Sequence, residues 1–158
     1  MKLAIGSDKS GFFLKEAVKN HLAGQGVQAD DLGTLDPEQA MPYYEVASTV
    51  APLVQNGTYD RAILICGTGM GMAVVANKYQ GVYAAVCEST YAAEKCRAIN
   101  DANVLTMGGW MIGEQLGCDM ADRFLSTGFT QGLEEWRQAF LSGAREKVKE
   151  IEETIYQK

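Results

Sequence analysis

The sequence predicts an α/β fold: a doubly wound, five-stranded parallel sheet with helices on both faces and a C-terminal helical extension. Three observations predict it. Five short apolar runs alternate with segments of helical periodicity, the signature of βαβ units. The run Arg61–Cys66 (RAILIC) is almost continuously apolar, as a strand buried on both faces must be. Many of the 17 glycines, against only 3 prolines, stand just after the apolar runs, where a strand turns into a helix.

Residues 2–6 read as the first strand and residues 7–11 as a polar turn. Leu14, Val18 and Leu22 share one stripe of a helix over residues 12–23, with Lys15 and Lys19 elsewhere, and Gly24 and Gly26 stop it. A strand over 27–32 and a loop over 34–41 follow; a second helix, Tyr43–Gln55, ends at the turn signal Asn56-Gly57. After Arg61–Cys66, a glycine loop enters a short helix over 72–78. Residues 81–86 and 104–107 are the last two strands, flanked by helices over 90–99 and 113–125.

The expected strand order is 2-1-3-4-5. Ligands of such sheets bind at the carboxyl ends of the strands, near the switch point, here between strands 1 and 3. Asp8-Lys9 and Cys66–Gly71 should therefore meet. The tail, 133–158, reads as one long helix with Trp136, Phe140, Val148, Ile151 and Ile155 near one face. It extends beyond a complete five-strand unit, which favours contact with a second copy over packing on its own domain. No repeat or linker is visible, so 1–158 is expected to be a single domain.

Composition narrows the function. The net charge of −6 and the lack of a basic stripe argue against nucleic acid as a partner. No run approaches a membrane span, and the N-terminus carries no secretory pattern, so a cytoplasmic enzyme is expected, with no membrane partner. Cys66, Cys87, Cys96 and Cys118 form no CxxC pair and are expected to be free thiols. With His21 the sole histidine, a metal site is disfavoured and no cofactor is expected. His21 is expected to be a packing residue, which disfavours a cysteine–histidine hydrolase.

The segment Cys66-Gly67-Thr68-Gly69-Met70-Gly71 carries the most chemistry. Glycines let the backbone turn tightly and aim several N–H groups into one concavity, which favours negative charge and a thiolate beside it. A base next to an oxyanion nest is what proton abstraction beside a carbonyl requires. The plainer alternative is a tight strand-to-helix turn with a buried cysteine. The G-x-G-x-G spacing does not match a dinucleotide fingerprint, and the Gly-Lys-Ser/Thr of a nucleotide-hydrolase loop is absent. Asn100-Asp101-Ala102-Asn103 reads as a turn with a helix C-cap.

Taken together, GSDKSGFFLK, ILICGTGMGMAVVANK and NDANVLTMGG stand in the order and spacing of one family. They resemble the type B ribose-5-phosphate isomerases and the related galactose-6-phosphate isomerase subunits. The resemblance runs to about Gly132 and implies a Rossmann-like αβα sandwich. It also implies a homodimer or tetramer with active sites between subunits. It further implies metal-free aldose–ketose isomerisation through a cis-enediolate, with Cys66 and Thr68 catalytic. Cys66 would be the base between C1 and C2. Gly67, Thr68, Gly69, Met70 and Gly71 would hold the oxyanion. Asp8 would contact substrate hydroxyls, Asn100 would do so from the partner subunit, and Arg137 would grip a phosphate.

The chain departs from the ribose enzymes at four positions. Lys9 stands for a histidine, Ile99 for the ring-opening histidine, and Trp110 and Leu133 for arginines. The losses fall on ring opening and phosphate gripping, so the expected substrate is a sugar that needs no ring opening. A tetrose phosphate held by Lys9 and Arg137 fits. An unphosphorylated sugar, a non-catalytic sugar-phosphate-binding homologue and one subunit of a mixed isomerase are the alternatives.

Overall fold

A computed structural model describes residues 1–157; Lys158, the last residue of the expected tail helix, lies outside them. Five parallel strands form one sheet: β1 (Leu3–Ser7), β2 (Ala29–Asp31), β3 (Arg61–Cys66), β4 (Ala84–Val86) and β5 (Val104–Gly108). The α-helices are α1 (Phe12–Gly24), α2 (Tyr43–Gln55), α3 (Met70–Ala76), α4 (Thr90–Asn100), α5 (Glu114–Ser126) and α6 (Glu135–Tyr156).

The strand order is β2-β1-β3-β5-β4, not the expected 2-1-3-4-5. Burial explains the exchange. All five residues of β5 are buried, whereas β4 has three residues, none of them buried. A strand buried on both faces belongs inside a parallel sheet, and a short, half-exposed one belongs at its edge. The chain therefore skips a place after β3 and returns to fill it with β5.

Alternation along β3 divides the core. Ile63 and Ile65 face α1, α4 and α5, joining Leu14, Val18, Met120 and Phe124. Ala62, Leu64 and Cys66 face α2 and α3, joining Val46, Val50 and Met72. The Cys66 side chain is thus directed to the α2–α3 layer.

The edge strand is held by a side chain. Asn77, at the C-cap of α3, donates to the Ala84 carbonyl (2.9 Å) and accepts the Ala84 N–H (2.7 Å). Asn77→Ala removes both bonds and should cost about 1–2 kcal/mol. A melting point lower by about 3–6 °C would be the measured sign.

On the opposite side lies a buried lysine. Lys15 is fully buried, and its Nζ donates to Asp31 Oδ2 at 2.7 Å and to the Thr34 carbonyl. Lys19 reaches the same Asp31 oxygen at 2.8 Å. This cluster ties α1 to the carboxyl end of β2.

The Asn100–Asn103 segment is a turn. Asn100 ends α4, and Asp101 caps it in the left-handed region (φ 52°). Asn103 accepts the Tyr83 N–H and donates to the Gly81 carbonyl. α6 buries only Leu141, leaving Trp136, Phe140, Val148, Ile151 and Ile155 exposed. No helix of the described residues is long and apolar enough to cross a membrane.

Candidate active site

Three strands bring their carboxyl ends together. Ser7 pairs with Ile65, and Cys66 pairs with Gly108, so the loops after β1, β3 and β5 leave the sheet side by side. The Asp8 N–H donates to the Ile65 carbonyl (3.2 Å), the Gly109 N–H to the Cys66 carbonyl (2.7 Å), and the Trp110 N–H to the Gly67 carbonyl (3.0 Å). A cleft of about 280 Å³ opens there, lined by Asp8, Ser10, Tyr43, Cys66, Gly67, Thr68, Gly71 and Trp110.

Cys66 ends β3 and is only 5% exposed. Its Sγ accepts the Gly69 N–H at 3.1 Å. Gly69 makes this turn at φ 77°, where a Cβ would also fall 2.8 Å from the Met107 backbone; glycine satisfies both demands. The Met70 N–H faces the Thr68 hydroxyl at 3.4 Å. The first amides of α3 have no carbonyl one turn back within the helix.

Two rings bracket this loop. A Cβ on Gly67 would lie 2.8 Å from Cδ2 and Cε3 of Trp110, and one on Gly71 would lie 2.7 Å from Cε2 of Tyr43. Each glycine thus lets an aromatic ring rest on the backbone.

Asp8 accepts the Gly11 N–H at 3.0 Å. Burial pushes its carboxyl above the usual value, against the opposing pull of the Gly11 and Ser10 amides. Lys9 points to solvent, with Nζ 3.8 Å from Glu38.

Of the residues singled out in the sequence, Asp8, Cys66, Gly67, Thr68 and Gly71 line the cleft, with Gly69 and Met70 completing their loop. Lys9 is adjacent in the chain but not in the lining. Asn100 and Arg137 lie elsewhere in the protomer, in separate hollows against α6 that share Ile99 and Leu141. His21 pairs with Asp122 at 2.9 Å, tying α1 to α5. Cys87, Cys96 and Cys118 are buried in the core.

Sequence reasoning missed Ser10 and Tyr43. Tyr43 opens α2, the helix that follows β2, and ligands of parallel sheets bind outside the strands' carboxyl ends, where such helices begin. That position was the available signal.

Comparison with known proteins agrees with this architecture. A ribose/galactose isomerase family model matches residues 3–140. A 4-deoxy-4-sulfo-D-erythrose isomerase of Clostridium sp. (strain MSTE9) is 68% identical over 158 residues, spanning 100% of this chain and 99% of that protein. A D-erythrulose-4-phosphate isomerase of Pectobacterium atrosepticum is 37% identical over 84% of this chain and 87% of its own. Among solved structures, the ribose-5-phosphate isomerase B of Clostridium thermocellum superposes with a TM-score of 0.87 at 36% identity, covering 98% of this chain and 99% of that one. The chain belongs to the ribose/galactose isomerase family and is an aldose–ketose isomerase of small sugars.

Proposed function

We propose that the protein interconverts 4-deoxy-4-sulfo-D-erythrose and the corresponding ketose by metal-free proton transfer at Cys66. The observation that carries the chemistry is the Cys66 sulfur held against the Gly69 amide in an open cleft. The Cys66 thiolate takes the proton from C2 of the aldose. Charge develops on O1 of the cis-enediolate, facing the loop amides of residues 67–71. The thiol then returns a proton to C1. The hydroxyl proton passes from O2 to O1, with the Thr68 hydroxyl as the donor–acceptor group in the loop. Asp8 orients the substrate hydroxyls.

Substrate choice rests on likeness and on chemistry. The 68% identical relative supports a four-carbon sulfonated sugar. A sugar with sulfur in place of oxygen on C4 cannot close a furanose through that carbon, so Ile99 is no handicap where the ribose enzymes use a ring-opening histidine. A sulfonate carries one negative charge, whereas a phosphate monoester carries about 1.5 to 2 near pH 7. A site with fewer arginines suits the smaller charge.

A second copy completes the site in this proposal. It brings Asn100 and Arg137 to the cleft and covers the exposed apolar face of α6. Arg137, with Lys9, then holds the terminal anion. Light scattering should find a dimer or a multiple of it.

A substrate panel tests the assignment. The purified protein should convert 4-deoxy-4-sulfo-D-erythrose, with solvent deuterium entering at C1 of the ketose. Turnover of ribose 5-phosphate far above that of the four-carbon sugars would overturn it.

A further inference from the structure

The cleft has an unusual charge inventory for a site that takes an anion. Among the described residues, its lining contains one charged group, the Asp8 carboxylate, and no lysine or arginine. The wall beside Cys66 is instead an indole. The Trp110 ring rests on Gly67, its backbone N–H donates to the Gly67 carbonyl at 3.0 Å, and the residue is 74% exposed. Tyr43 occupies the other end of the loop, over Gly71. Both rings line the cleft that Cys66 opens into, so they are the apolar walls available to a substrate's carbon chain there.

An indole presents an apolar face and one neutral N–H donor. It suits a methylene bearing a weakly hydrated monoanion. It offers nothing to offset the second charge of a phosphate, which leaves that charge to the proposed Lys9 and Arg137 contacts alone while Asp8 stands in the same lining. We propose that Trp110 is the specificity residue for the terminal group, selecting a sulfonate over a phosphate on an otherwise identical four-carbon chain. This rests on the four-carbon assignment of the preceding section and adds a residue and a mechanism of discrimination to it.

The experiment compares kcat/KM for 4-deoxy-4-sulfo-D-erythrose and D-erythrose 4-phosphate in the parent protein, Trp110→Phe and Trp110→Arg. The exposed side chain makes both substitutions foldable, and Trp110→Lys supplies a second cationic variant. The parent should prefer the sulfonate. Trp110→Phe should keep that preference within about threefold, because the wall stays neutral and apolar. Trp110→Arg should move the ratio at least about tenfold toward the phosphate, through a charge-assisted contact with the dianion. In the parent the preference should also shrink as pH falls from 8 to 5.5. The phosphate becomes a monoanion below about pH 6 while the sulfonate does not change. Any change in the protein's own proton-transfer groups acts on both substrates and cancels in the ratio.

A parent that prefers the phosphate, or a ratio in both cationic variants within twofold of the parent's, overturns the role of Trp110 and leaves the four-carbon assignment standing. A parent that works on ribose 5-phosphate far better than on either four-carbon sugar overturns both.

Discussion

Cys66→Ala should lower kcat by about a thousandfold or more while leaving the fold and KM nearly unchanged. A positioned general base contributes about 10²- to 10⁴-fold, and no other side chain of the cleft combines nucleophilic sulfur with an amide aimed at it. The sulfur fills little volume, so its loss should cost about 1 kcal/mol of stability. Cys66→Ser is the sharper variant, because a hydroxyl occupies the same place and accepts the same Gly69 N–H but is a far weaker base. Deuterium entry into the sugar should stop in both variants, while binding of a four-carbon sulfonate remains measurable by calorimetry. Activity above about a tenth of the parent's would move the base to Asp8, whose raised carboxyl faces the same space.

Lys15→Met should be the most destabilising single change away from the cleft. The lysine is fully buried, and its ammonium serves the Asp31 carboxylate, the Thr34 carbonyl and, at 3.1 Å, the Glu16 carboxylate. Methionine preserves the volume but leaves Asp31 with Lys19 as its only cation, beside the Gly33 N–H, and the Thr34 carbonyl without its donor. Removing one partner of a buried ion pair costs about 3–5 kcal/mol, and the partial exposure of Asp31 favours the lower figure. The melting point should fall by about 6–12 °C.

The same cluster has a pH signature. Burial alone would raise the Asp31 carboxyl, but hydrogen bonds from Lys15 and Lys19 outweigh it and hold the group below its ordinary value. Its folded form therefore binds protons less readily than its unfolded form. The stabilisation is complete above about pH 4 and is lost as pH falls through the folded value. Urea midpoints between pH 6 and pH 2 should drop more steeply for the parent than for Lys15→Met. Parallel curves would show that the lysine contributes packing and not charge.

Much of this protein can be read along the chain. Arg61–Cys66 and Tyr43–Gln55 occur with the expected bounds, because a buried strand and an amphipathic helix carry their periodicity locally. The glycine loop after Cys66 was legible for the same reason: residues adjacent in sequence build the turn, the amides and the thiol together. The switch point needed only the order of strands 1 and 3, which the structure shares with the expectation.

What the chain could not announce is which distant segments become neighbours. Placing β5 beside β3 was decided by burial competition between two strands, and periodicity within either one is silent on that contest. The consequence reaches the site, since only a β5 next to β3 lays Trp110 on Gly67. Tyr43 and Ser10 entered the cleft the same way, and Lys15 met Asp31 across 16 residues of sequence. Local periodicity therefore determined the elements and the glycine loop that carries Cys66. Packing between elements determined the walls around it, because a wall is made of residues whose only relation is the space they must jointly fill.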